Sequence, residues 1–122
     1  MSGGPVSDLA GMLAGMAPML DDRRWAFEVV QGEPPAEAFA VIREEEGTTA
    51  ILPDLAGGFA RITLMVHSAL GGVGLTAAVA GALAERGISC NVVAGFHHDH
   101  LFVPWERRDE ALAILQHLAA AA

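Results

Sequence analysis

Apolar positions along this chain follow two rhythms. Leu9, Met12, Leu13, Met16 and Leu20 recur at helical spacing, with Ser7 or Asp8 placed to cap the first turn, so residues 1–22 read as an N-terminal helical segment. The rhythm then tightens. "RWAFEVV" (24–30) is a strand, "QGEPPAE" a loop marked by its Gly and paired prolines, and "FAVIREEEGTTAILP" a pair of β-rich runs whose charged connection ends at Gly47. This reads as a hairpin with a turn of three to five residues, Gly47 supplying a positive φ. "ARITLMVHS" (60–68) is a buried strand and "LGGVG" a tight loop. "LTAAVAGALAERG" is a helix in which Leu75, Val79 and Leu83 stack and which Gly87 ends. "ISCNVVAGF" and "HLFVP" are two more strands. "ERRDEALAILQHLAAAA" is an amphipathic helix through Ala111, Leu112, Leu115 and Leu118, with Asp109 and Glu110 in the first turn, where the helix dipole favours acids.

From Ala60 onward the order is thus β, α, β, β, α, an α+β ferredoxin-like unit without its last strand. The missing strand has to come from "RWAFEVV" or from the hairpin around Ile51, which interlocks the two parts of the chain. The β-α-β portion sets its two strands parallel through a right-handed crossover, and the third strand lies between them running the other way. The end of the first strand, residues 70–74, and the turn near residues 95–100 then share one edge, and His67 approaches the turn.

Composition narrows the partners. With 122 residues, 52% of them apolar, there is enough for a real core in one domain or two small interlocked ones. The net charge is −8, from 15 acids against 7 bases that are all Arg, which argues against nucleic acid or an anionic membrane. The N-terminal stretch lacks a basic start and is broken by Gly11, Gly15 and Pro18, unlike a signal peptide, and is too short to span a bilayer. Cys90 is the single cysteine, so no internal disulfide forms and a cytoplasmic location is expected.

The candidate chemistry gathers at that shared edge. "GFHHDHLFVP" (95–104) carries three of the five histidines; strand alternation puts His98, His100 and Phe96 on one side and His97 and Asp99 on the other. His98 and His100 have metal-ligand spacing and His67 is a third imidazole, but no further Cys or fixed carboxylate completes a site. "GVGLTA" (72–77) matches the dinucleotide fingerprint weakly, because no doubly wound sheet follows. Its physics still suits an anion at a helix start, such as an amino acid's carboxylate. Ser68, His67 and Asp99 supply the residue types of a catalytic triad, although neighbours on a strand point apart. Glu44, Glu45 and Glu46 read as a solvated tip, and Cys90 as a small buried hydrophobe.

The run "HSALGGVGLTAAVAGALAERGISCNVVAGFHHDHLFVP", with "ALAILQHL" after it, resembles the ACT domains, in particular small stand-alone bacterial proteins with two ACT-like halves and no assigned function. "FAVIREEEGTTAILP" resembles the hairpin of their N-terminal half. The resemblance implies two interlocked ferredoxin-like (βαββαβ) halves, with antiparallel sheets and helices on one face. They are divided as a helical segment 1–22, an N-terminal half 23–59 and a C-terminal ACT domain 60–122 that share strands, as in aspartokinase regulatory regions. It implies a non-catalytic, cofactor-free regulatory module binding a small molecule, most plausibly an amino acid, at a domain or homodimer interface. Residue by residue, the ligand positions it implies are Ser68, Ala69, Leu70, Gly71, Gly72, Val73, Gly74 and Leu75, with Asn91, His98, Asp99 and His100 opposite. The chain reads "SALGGVG" where similar proteins have a Ser and a Glu. Two alternatives remain: a metal-binding protein using His67, His98 and His100, and an interaction domain that docks a partner through the glycine loop and Met-rich helix without any ligand.

Overall fold

The computed structural model describes residues 7–122 and holds three helices and six strands. They are α1 (Leu9–Ala14), β1 (Pro18–Val30), β2 (Ala40–Glu44), β3 (Gly47–Pro53), β4 (Phe59–Leu64), α2 (Leu75–Ala84), β5 (Asn91–Ala94), β6 (Asp99–Pro104) and α3 (Arg108–Ala120). All strands join one antiparallel sheet in the order β2-β3-β1-β4-β6-β5. β6 runs antiparallel to both β4 and β5, which are therefore parallel to each other, as a βαβ crossover through α2 requires. β1 lies against the outer side of β4 and fills the vacant fourth position of the ferredoxin-like unit. Its second half also pairs with β3. One strand therefore serves both halves of the chain.

Three local readings change. The N-terminal helix is far shorter than expected: Asp8 caps it through Gly11 N–H at 2.8 Å, but it ends at Ala14, and residues 18–22 are strand rather than helix. The cause is tertiary. Met16 C=O accepts from Met65 N–H at 2.9 Å, Ala17 turns through φ +44°, and Pro18 cannot continue a helix. The part of the 1–22 reading that falls on residues 1–6 lies outside the described residues. The hairpin turn is tighter than expected, because Glu44 already pairs with Gly47 and only Glu45 and Glu46 connect the strands; Gly47 has φ +152°. The strand expected from Ile88 begins only at Asn91. Gly87 does end its helix, at φ +71°, with its own N–H donating to Ala84 C=O and that of Ile88 to Leu83 C=O.

Strand alternation sorts the sheet into two faces. Ala60, Ile62, Leu64, Leu101 and Val103 point to the three helices, which pack on one another and on the sheet, and meet Met12, Met16, Leu75, Val79, Leu83, Ile88, Ala111 and Leu115 in the main core. The residues between them point the other way. There Trp25, Ile51 and Phe102 are buried beneath Phe39, Phe59 and Val93. Phe102, Phe39 and Trp25 meet edge to face at centroid distances of 5.7 to 6.1 Å, which suits their ring quadrupoles. None of the described helices is long and apolar enough to cross a membrane.

Candidate functional site

The glycine loop follows β4 because the chain leaves the sheet at Met65 and has to turn into α2. Gly74, at φ +105°, makes that turn and precedes the helix without any side-chain cap. A cavity of about 160 Å³ opens there, lined by Ser68, Ala69, Leu70, Gly72, Gly74, Leu75, Thr76, Ala94, Asp99 and Met12. Ser68 Oγ donates to Asp99 Oδ2 at 3.4 Å. The cavity thus has a carboxylate on one wall and an uncapped helix N-terminus on another, oppositely charged ends within one small space. Helix α1 forms its roof. A Cβ on Gly72 would meet Met12 Sδ at 3.1 Å, and one on Gly74 would meet Leu9 Cδ1 at 3.3 Å. A side chain at either position would thus press on α1, by a few tenths of an ångström at Met12 and Leu9.

Of the twelve predicted ligand positions, Ser68, Ala69, Leu70, Gly72, Gly74, Leu75 and Asp99 line this cavity. Gly71 and Val73 are exposed at the loop tip. Asn91 is exposed at the far end of β5, three residues from Ala94 and so roughly 10 Å away. His98 and His100 lie elsewhere. Asp99 pairs with Leu64 and faces the helices, whereas His100 pairs with Thr63 and faces the opposite side of the sheet, with His98 beside it. The alternation read from the turn holds for these three residues. Its corollary is that the two histidines cannot face the glycine loop across a pocket.

Metal ligation by His67, His98 and His100 fails on the same geometry. The His67 ring lies 5.3 Å from His97 and 6.3 Å from Phe96, centroid to centroid, and His97 in turn lies 6.3 Å from His98, so His97 and Phe96 are the turn residues that meet His67. Among the described residues no three metal-ligating side chains converge. No triad forms either, since Ser68 meets Asp99 directly, without His67 between them. The Met-rich segment turns its methionines Met12 and Met16 into the core, 1% and 0% exposed, and leaves Leu9 of α1 40% exposed.

On the helix-free face a second, larger cavity of about 460 Å³ holds His98 and His100 together with Met19, Leu20, Asp21, Phe39, Arg61, Thr63 and Met65. Arg61 is the residue sequence reasoning missed. Its signal was an arginine between Ala60 and Ile62, both buried, in a strand whose only other polar residue is Thr63. Its guanidinium lies 4.7 Å from the ring centroids of both Trp25 and Phe39. His100 Nδ1 is 3.0 Å from Thr63 Oγ1. Burial, then the charges of Arg61 and His98, hold the His100 imidazole below its ordinary pKa, with Asp99 opposing. Burial alone would raise the Asp21 carboxyl, but hydrogen bonds from Arg23 and from Trp25 Nε1, at 3.1 and 3.0 Å, and the charge of Arg61 bring it below its usual value.

Models of the ACT domain match residues 5–56 and 60–117. Among solved structures, a Vibrio cholerae protein described as of unknown function and a possible transport protein is 41% identical. It covers 91% of this chain and 95% of its own, with a TM-score of 0.78. The ligand-free regulatory subunit of aspartate kinase from Thermus thermophilus shares the fold at 10% identity, covering 85% of this chain and 97% of its own, with a TM-score of 0.65. A protein from Agrobacterium tumefaciens does so at 20% identity, covering 78% of this chain and 81% of its own, with a TM-score of 0.61. Comparison with curated proteins gave no match. Two matched domains along the sequence, with strands from both halves in one sheet as the interlocked reading required, make the chain a member of the ACT domain family, in the tandem α+β arrangement.

Proposed function

We propose that the chain is a non-catalytic, cytoplasmic regulatory module that binds a small free amino acid in the glycine-loop cavity. The unit that does so is residues 60–122 completed by β1. The observation that carries this reading is the pairing of Asp99 with the uncapped start of α2 around one cavity. A zwitterion needs both: a carboxylate for its ammonium group, and free backbone N–H groups at a helix N-terminus for its own carboxylate. Size narrows the choice. A volume of 160 Å³ is about five waters, which fits glycine, alanine or serine and excludes aromatic amino acids.

We read the assembly as a homodimer. In support, the helix-free face leaves Val29 and Ile42 68% and 42% exposed, and β2 and β5 are open edges. The test of the ligand is a thermal-shift titration with the common amino acids. At least one small member raises the melting temperature in a dose-dependent way, and Asp99→Asn abolishes the shift while remaining folded. A folded wild-type protein that responds to no amino acid overturns the reading.

A further inference from the structure

The cavity on the helix-free face is distinct from the glycine-loop cavity. Thr63 and His100 form one register pair of β4 and β6, and Leu64 and Asp99 the next, so the two cavities open on opposite sides of the same two strands. Two polar atoms of its wall residues lack partners. Arg61 Nε and His98 Nδ1 are both buried without a hydrogen-bond partner, and buried polar atoms in that state are rare. Asp21 is the one carboxylate on the wall, and it is already engaged by Arg23 Nε, Arg23 N–H and Trp25 Nε1. It stands 3.7 Å from the Arg61 terminal nitrogen, beyond a good hydrogen bond. The guanidinium therefore keeps donor capacity to spare, fixed in direction by the two rings that flank it. Besides Thr63 and His100, which bond to each other, the remaining wall is Met19, Leu20, Phe39 and Met65, and the thioethers adapt readily to a flat ring.

We infer that this cavity is a second binding site, for a small organic carboxylate with an apolar or aromatic tail. The carboxylate takes the Arg61 guanidinium, the His98 ring turns its unpartnered Nδ1 from its buried position to serve as a second donor, and the tail lies between Phe39 and the methionines. The site is an open depression of about 460 Å³, with Met19 and Met65 59% and 40% exposed at its wall, and has room for a ring that the glycine-loop cavity would refuse. The site does not depend on amino-acid binding at the loop, and its ligand needs no ammonium group.

Phenylacetate and its neutral isostere phenylacetamide are the probes, titrated into the full ¹⁵N-labelled chain and followed by amide shifts. Phenylacetate is expected to move the amides of Thr63, His98 and His100, and phenylacetamide to bind about tenfold more weakly for want of the charged hydrogen bond. Arg61→Gln is expected to cost at least about tenfold in affinity and His98→Ala a few-fold, while Asp109→Asn, exposed on α3, leaves it unchanged. Arg61 also stacks on Trp25, so should Arg61→Gln not fold, His98→Ala and the acid–amide comparison decide. The inference is overturned by no binding up to about 10 mM, by equal affinity for acid and amide, by undiminished affinity in His98→Ala, or by shifts confined to residues 68–76.

Discussion

Met12 tests how α1 and the glycine loop work together. Its side chain is 1% exposed, packs in the main core, and roofs the glycine-loop cavity with its sulfur against Gly72. Met12→Ala removes Cγ, Sδ and Cε. Truncating a buried methionine costs about 2–5 kcal/mol, with the upper part reached only where the site cannot collapse. Here one wall is an open cavity rather than packed side chain, so a value of about 3 kcal/mol is expected. For a chain of this length each kcal/mol moves the melting temperature by roughly 3–5 °C, which gives a fall of about 10–15 °C. The ligand preference should move the other way. Wild type favours glycine, alanine or serine, whereas the variant has room for valine, leucine or methionine, and a well-filled methylene is worth about 1–3 kcal/mol. The assay is calorimetric titration of both proteins with these six amino acids, beside thermal unfolding. A folded variant with unchanged size preference would refute Met12 as the roof of the ligand cavity. A loss under about 1 kcal/mol would show that α1 is not seated on the loop.

Other expectations follow from single features. Gly57→Ala would drive a Cβ into the Trp25 backbone carbonyl, so the 54–58 turn has to leave the sheet; a loss of at least about 2 kcal/mol should appear in denaturant unfolding, and a near-neutral variant would contradict the close approach. His100 has a folded-state pKa below its ordinary 6.5, so unfolded chains bind the proton first as pH falls. Its contribution to stability is complete above about pH 6.5 and is lost progressively below it, through the folded-state value. In His100→Gln the stability–pH curve should be flatter between pH 7 and pH 5 than in wild type, and identical curves would remove the effect. Burial pushes the Cys90 thiol up to about 11, so iodoacetamide at pH 8 should label native protein at least about tenfold more slowly than unfolded protein; equal rates would mean the thiol is exposed. A fragment of residues 60–122 should remain unfolded by circular dichroism and gain structure when residues 7–59 are added, because β1 is the outer neighbour of β4; independent folding of 60–122 would show β1 dispensable.

The C-terminal part was legible because each of its elements carries its own boundary signal. Gly74 and Gly87 mark the turns at either end of α2, and the apolar alternation of residues 60–64 fixes both faces of β4. The N-terminal boundary was hidden. Met12 and Met16 suit a helix as well as a core plug, and what ends α1 is a hydrogen bond from Met65, almost fifty residues away. At the site, alternation correctly opposed Asp99 to His98 and His100. Placing all three around one ligand then ignored the thickness of the sheet between them. Arg61 was overlooked because a lone arginine in a strand looks like a solvated edge. Its burial comes from Trp25 and Phe39, neither of which is near in sequence.

The strand shared by both halves also imposes an order in time. β1 leaves the ribosome some thirty residues before β4, so at about 5–20 residues per second the edge that β4 will occupy stays bare for roughly 2–6 s. An open strand edge of this kind pairs readily with whatever arrives, including the β4 of another nascent chain, which would yield strand-exchanged dimers. The register shift between Leu20 and Arg24 falls on that edge, and its residues are Asp21, Asp22 and Arg23. A bulge carrying charges of both signs makes a poor template for an arbitrary strand, while Arg61 of the proper partner finds Asp21 waiting. By this reasoning the irregularity at the centre of the sheet disfavours wrong strand pairing during assembly, before any ligand is present.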